Sequence, residues 1–146
     1  MKPLPAGPRC RALTFLNLAL ALAFGLIPLT VAAQVAPSSS EVAAYTGLHS
    51  AAHSGDFTTV TRLAKTSPQA LAQTDGNGRT PLHVATFARQ RGAVAALLDA
   101  GADPAALDND RYDAVTIAAV ADDEETLRVL LAKGASATLV TSRYDG

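Results

Sequence analysis

The sequence has one cysteine and no tryptophan, and aromatic residues make up 5% of its 146 positions. Cys10 has no second cysteine to pair with, so the chain cannot form an internal disulfide and its stability must come from packing. A formal net charge of −1 gives no sign of the basic surface that nucleic-acid binding requires. The sequence also lacks a G-x-S-x-G element, a phosphate-binding loop ending in Lys-Ser or Lys-Thr, and an H-E-x-x-H element. Nothing here favours an enzyme.

The N-terminus has a composition of its own. A basic start precedes an uncharged run rich in Leu and Ala over residues 12–33, and small residues, Val31-Ala32-Ala33, end the run before Gln34. This order is typical of a secretory signal peptide, which predicts a signal over residues 1–33 and export to the periplasm or the medium. The alternative is an uncleaved anchor, because about 20 apolar residues can span a bilayer.

Residues 34–41 are short, polar and rich in Pro and Ser. This composition predicts a flexible linker that is poorly ordered.

Residues 75–107 form the best-defined unit of the chain. Thr80 can cap a helix whose first residue is Pro81, where the missing N–H does no harm. This first helix is predicted to run from Pro81 to about Ala88. A second helix carries apolar residues at i, i+3 and i+4, and a glycine able to adopt a left-handed conformation ends it. These four residues are Val94, Leu97, Leu98 and Gly101.

The unit resembles the ankyrin repeat in both residue type and spacing. The resemblance is carried by Thr80-Pro81-Leu82-His83, Ala85, Val94, Leu97-Leu98 and Gly101-Ala102-Asp103. Copies begin at Thr46 and Asp113, close to the repeat period of about 33 residues. The resemblance implies an all-α solenoid of stacked helix-turn-helix units with projecting β-turns. The predicted domains are a signal peptide at 1–33, a linker at 34–41, repeats at 42–74, 75–107 and 108–139, and the start of a truncated fourth repeat at 140–146.

The third repeat departs most from the pattern. Arg111 stands where Gly78 allows a tight turn, and Asp122 stands where Gly55 separates two helices. If these positions need a positive φ, each non-glycine residue costs roughly 1 kcal/mol. The third repeat is therefore predicted to be the loosest.

The histidines allow two interpretations. His49 and His53 are four residues apart on one predicted helix, a spacing that can place two imidazoles on a metal, and with Asp56 they suggest a metal-dependent hydrolase. However, His49 and His83 occupy the same repeat position, where the ankyrin resemblance implies a hydrogen bond that ties neighbouring turns. The structural interpretation is favoured.

A single repeat position, directly before each helix cap, holds every tyrosine of the chain and one arginine. The residues are Tyr45, Arg79, Tyr112 and Tyr144. The resemblance places them at the base of the projecting turns, on the concave face. The same register adds Asn77 and Asp110 at the turn tips, and His53, Phe87 and Val120 on the first helices. Tyr and Arg are enriched at binding hot spots, so these nine residues are predicted to bind a partner protein. The alternative is that Phe87 and Val120 are partly buried between repeats and that each tyrosine at a turn base simply packs its ring.

Together these patterns predict a non-catalytic protein–protein interaction module that acts after export. No cofactor, metal, nucleic acid or small-molecule substrate is expected. The alternatives are a membrane-anchored scaffold with an uncleaved N-terminal helix and, less favoured, the metal-dependent hydrolase.

Overall fold

The computed structural model describes residues 35–138, which belong to one compact unit, Gln34–Gly146. This part of the chain contains seven α-helices and a short 3₁₀ helix, and no strand. The predicted signal peptide, Tyr144 and the start of a fourth repeat lie outside the described residues. The helices are α1 (Ser39–Ala44), α2 (Gly47–Ser54), α3 (Phe57–Thr66), the 3₁₀ helix (Pro68–Ala72), α4 (Pro81–Phe87), α5 (Arg91–Asp99), α6 (Ala114–Val120) and α7 (Glu124–Ala132).

The six helices from α2 to α7 form three pairs that stack in two layers. Within each repeat the first helix packs against the second, and α2, α4 and α6 form one layer while α3, α5 and α7 form the other. Large side chains fill the space between the layers and the repeats, among them the fully buried Leu82, Leu97, Ile117 and Leu130. Small alanines such as Ala52 and Ala85 let the helices approach closely.

The second repeat folds as its sequence predicts. Thr80 is the cap of α4 and Pro81 is its first residue. Val94 and Leu97 are fully buried along α5, and Gly101 adopts a φ of +94° directly after that helix. The all-helical repeat architecture is therefore confirmed for this part of the chain.

Two projecting turns stack against each other through their backbones. Each turn closes on itself: the N–H of Asp75 donates to the carbonyl of Arg79, and that of Asp108 donates to the carbonyl of Tyr112, both over 3.0 Å. The N–H of Asn109 then donates to the carbonyl of Asn77 over 3.0 Å, which joins the turns.

Gly78 allows this close stacking. Its φ is +72°, and a Cβ at this position would lie 2.9 Å from the backbone nitrogen of Asn109. A larger residue here would therefore both strain the turn and push the neighbouring turn away.

The predicted positive φ angles occur at both non-glycine positions of the third repeat. Arg111 has a φ of +64° and Asp122 a φ of +50°. Arg89 of the second repeat, which the sequence did not single out, also has a positive φ of +55°. Its guanidinium Nη2 donates to the carbonyl of Ala121 over 2.8 Å, so this strained residue still joins two repeats.

The expectation of a flexible linker at 34–41 is wrong for its last residues, which begin α1. Ser38 caps this helix, and Glu41 at its third position returns a hydrogen bond to the Ser38 backbone N–H over 2.7 Å. This reciprocal arrangement satisfies N–H groups that would otherwise be exposed at a helix start. The helix also crosses the predicted repeat boundary at residue 42.

Candidate protein-binding face

The face built from the projecting turns and the first helices carries seven of the nine predicted site residues, Tyr45 lies between α1 and α2, and Tyr144 lies outside the described residues. Val120 is the most open apolar one, with 61% of its surface exposed. Asn77 is exposed at a turn tip, whereas His53, Phe87, Asp110 and Tyr112 are half-buried. Each of these five side chains therefore has surface in contact with solvent.

Arg79 is the most buried of the described site residues, with 4% of its surface exposed. Its Nη1 lies 3.6 Å from Oδ2 of Asp75 and 3.5 Å from Oε1 of Glu41, and its guanidinium carbon lies 5.7 Å from the centre of the Phe87 ring. A cation above an aromatic ring between two carboxylates is well stabilised. Arg79 therefore lies buried at the base of its turn and joins neighbouring parts of the face.

Tyr45 lies at the same corner of the face. Its hydroxyl donates to Oδ2 of Asp75 over 2.9 Å, and its ring centre is 5.6 Å from that of His49 and 6.3 Å from that of His53. Burial, followed by the hydrogen bond to Asp75, raises the pKa of Tyr45 to about 12. The tyrosine is therefore a hydrogen-bond donor throughout the neutral range.

Asp75 organises this corner, although the sequence analysis did not select it. Its Oδ1 accepts hydrogen bonds from the backbone N–H groups of Asn77 and Arg79, each over 2.9 Å. Burial raises the pKa of Asp75, but the N–H of Arg79, the hydroxyl of Tyr45 and the N–H of Asn77 outweigh it, so the pKa is lowered. Asp108 repeats the same geometry toward Asp110 and Tyr112, and this recurrence is the sequence signal that was missed.

The histidines make the ties that the ankyrin resemblance implies. Nε2 of His49 lies 3.0 Å from the carbonyl of Arg79. Nε2 of His83 lies 3.0 Å from the carbonyl of Ala106 and 3.1 Å from that of Tyr112, while its Nδ1 accepts from the Thr80 N–H over 3.0 Å. Because carbonyls only accept, Nε2 must carry the proton, and burial lowers the pKa of His83. Both imidazoles are thus committed to joining one repeat to the next.

Two kinds of feature are absent from residues 35–138. No group of three His, Cys, Asp or Glu side chains there is placed to hold a metal ion. No helix in the same stretch is long and apolar enough to cross a membrane.

Stacked helix pairs with projecting turns and a ladder of histidine ties define a helical repeat protein of the ankyrin class. Residues 16–108 and 48–141 match the family model for ankyrin repeats in three copies. The matched residues make up more than half of the chain, so the chain belongs to the ankyrin-repeat family. Proteins of this family generally bind other proteins.

The chain is also similar to Protein PhlB of Serratia liquefaciens. The two are 34% identical over 133 residues, which cover 90% of this chain and 59% of PhlB. The chain therefore spans less than two thirds of the length of that relative.

Proposed function

We propose that the chain is a non-catalytic binding module that recognises another protein through its turn tips and first helices. The observation that carries the proposal is the combination of an exposed Val120, a half-buried Tyr112 and a half-buried Phe87 on a face whose backbone is fixed by hydrogen bonds between repeats. Apolar and aromatic groups on a rigid support are what protein interfaces use as anchors.

The third repeat offers the best anchor of this face. Tyr112 is fixed through its backbone, because its N–H donates to Asp108 and its carbonyl accepts from Asp108 and His83. The backbone that carries the ring is therefore fixed, while the residue itself stays partly exposed. Val120 lies at the end of α6, close to the exposed Ala121.

The metal-dependent hydrolase is not favoured by this arrangement. Nε2 of His49 is already bonded to a backbone carbonyl, and freeing it for a metal would break a tie between the first two repeats. Purified protein should therefore contain no stoichiometric metal, and a bound metal that is lost in a His53→Ala variant would favour the hydrolase instead.

A position-dependent crosslink tests the binding face. A photoreactive phenylalanine analogue placed at Val120 should crosslink a discrete partner in extracts of the source cells, whereas the same analogue at Arg128, an exposed residue of α7, should not. The Tyr112→Ala variant should then lower affinity for that partner by at least about tenfold, with a smaller loss of stability. Equal crosslinking from both positions, or equal losses of affinity and stability, would count against this face.

We further propose that the module acts after export, in the periplasm or the medium. The support is the basic, then apolar, then small-residue pattern of residues 1–33. The intact mass of the endogenous protein tests this: a mass beginning at Gln34 supports cleavage. A protein that keeps Met1 and stays in the membrane after carbonate washing would support the anchored scaffold.

A further inference from the structure

Helix α1 makes polar contacts with its surroundings but buries little of its surface. None of its six residues is buried, and a helix of this length is unstable in water by itself. Its start is closed by Ser38, whose hydroxyl donates to Oε2 of Glu41 over 2.6 Å. The other oxygen of the same carboxylate makes polar contacts that attach the helix to the second repeat.

Oε1 of Glu41 reaches across to the turn of the second repeat. It accepts a hydrogen bond from Nδ2 of Asn77 and lies 3.5 Å from Nη1 of Arg79. The hydrogen bonds from Ser38, together with the charge of Arg79, lower the pKa of Glu41, so the group is ionised at neutral pH. An amide and a guanidinium thus converge on one carboxylate oxygen.

The guanidinium of Arg79 and the backbone of Asn77 have partners other than Glu41. Arg79 is fixed by Asp75 and by the ring of Phe87, and Asn77 is fixed by its backbone bonds to Asp75 and Asn109. Asn77 is also exposed at the tip of its turn. If α1 left, these other contacts would still hold the Arg79 guanidinium and the Asn77 backbone beside the place that Glu41 had occupied.

We propose that Asn77 and Arg79 form a subsite for a carboxylate side chain of the partner protein, and that Glu41 fills this subsite until the partner displaces it. The inference rests on the proposed function and adds the chemistry of the partner: an Asp or Glu side chain on a segment that lies where α1 now lies. Replacing one carboxylate by another leaves the charge balance around Arg79 and Asp75 unchanged. Helix α1 would then occupy part of the binding face until the partner displaces it.

The test uses the full chain and a peptide of residues 35–46 with blocked ends, which supplies Glu41 from outside. A matched peptide carries Gln at that position. The Glu peptide should bind the E41A protein at least about tenfold more tightly than the unaltered protein, because the internal competitor has gone. Binding should shift the side-chain amide signal of Asn77 in NMR spectra, and an added N77A change should abolish it.

The control is E124A, which removes an exposed glutamate paired with Arg128 on α7. This protein should bind the peptide as weakly as the unaltered chain. E41Q, which keeps nearly the same side-chain shape, should behave as E41A if the charge is what matters. Equal affinity of the Glu and Gln peptides, equal affinity of E41A and the unaltered protein, or no binding to E41A would overturn the proposal.

A purely structural role for α1 has a different signature. In that case E41A would melt at a lower temperature and still bind no peptide. Because the test needs no natural partner, its failure is separate from failure of the crosslinking experiment at Val120.

Discussion

The hydroxyl of Tyr45 donates a hydrogen bond to Oδ2 of Asp75 over 2.9 Å, between residues 30 positions apart in the chain. The bond joins the residue before Thr46, the cap of α2, to the base of the turn in the second repeat. The same carboxylate holds that turn closed and lies beside Arg79. These half-buried contacts help to fix the first repeat relative to the second.

This corner should give the protein a characteristic loss of stability at alkaline pH. The pKa of Tyr45 is about 12 in the folded chain, against 10.0 without the protein environment. Its contribution is complete below pH 10 and is lost as the pH rises toward 12, because the unfolded chain releases the proton first. Since the side chain is partly solvated, the effect should be about 1 kcal/mol.

Urea unfolding at pH 8 and pH 11 measures this effect. Tyr45→Phe should lose less stability between the two pH values than the unaltered protein. A Tyr45→Phe protein with the full alkaline loss would contradict the assignment.

Removing His83 should be one of the most damaging changes at a polar residue. His83→Ala leaves the buried N–H of Thr80 and the part-buried carbonyl of Ala106 without their partner, while the carbonyl of Tyr112 keeps only its bond from the Asp108 N–H. The expected loss is about 2–4 kcal/mol. His53→Ala, which removes an imidazole half-buried beside Tyr45, should cost less than about 1 kcal/mol. Chemical denaturation of both variants decides the point, and similar losses would mean that the ties carry little energy.

Two substitutions to glycine should stabilise the third repeat. Arg111 and Asp122 both have positive φ angles, which glycine adopts without steric cost. Arg111→Gly and Asp122→Gly should each raise the free energy of unfolding by up to about 0.5 kcal/mol, after the greater entropy of the unfolded glycine chain is subtracted. Arg128→Gly, in the middle of α7, should instead lower it by about 1 kcal/mol. A melting temperature unchanged by both third-repeat variants would show that the strain is relaxed elsewhere.

Truncation to alanine should lower the free energy of unfolding by very different amounts at two leucines, one on α5 and one on α7. Leu97 is fully buried, whereas 43% of the Leu131 surface is exposed. Leu97→Ala should cost about 2–5 kcal/mol, and Leu131→Ala should cost less than about 1.5 kcal/mol. Urea titrations compare them directly, and a large loss at Leu131 would indicate that this side chain is covered in solution.

Features that repeat along the chain could be predicted from the sequence. The ends of the helices follow from local backbone preferences at Thr80-Pro81 and Gly101, and the buried positions Val94 and Leu97 follow from helical spacing. Predicting them needed no knowledge of distant residues. The positive φ of Arg111 could be predicted because Arg111 occupies the repeat position that Gly78 occupies in the second repeat.

What the sequence analysis missed depends on contacts between distant parts of the chain. Arg79 is buried because Glu41, 38 positions earlier, and the ring of Phe87 close over it. Helix α1 had a local signal in Ser38-x-x-Glu41, but the surrounding Pro and Ser residues favoured a linker. The fold was therefore largely predictable, whereas the exposure of individual site residues was not.

The histidine ties described above also have a thermodynamic consequence for association. His49 fixes the first repeat to the carbonyl of Arg79, and His83 fixes the second to the carbonyl of Tyr112. Each repeat consequently has little freedom to rotate about its neighbour, and the spacing of the turn tips is set before any encounter. A partner that matches this spacing orders few additional degrees of freedom in the array, so more of its contact energy is available as affinity.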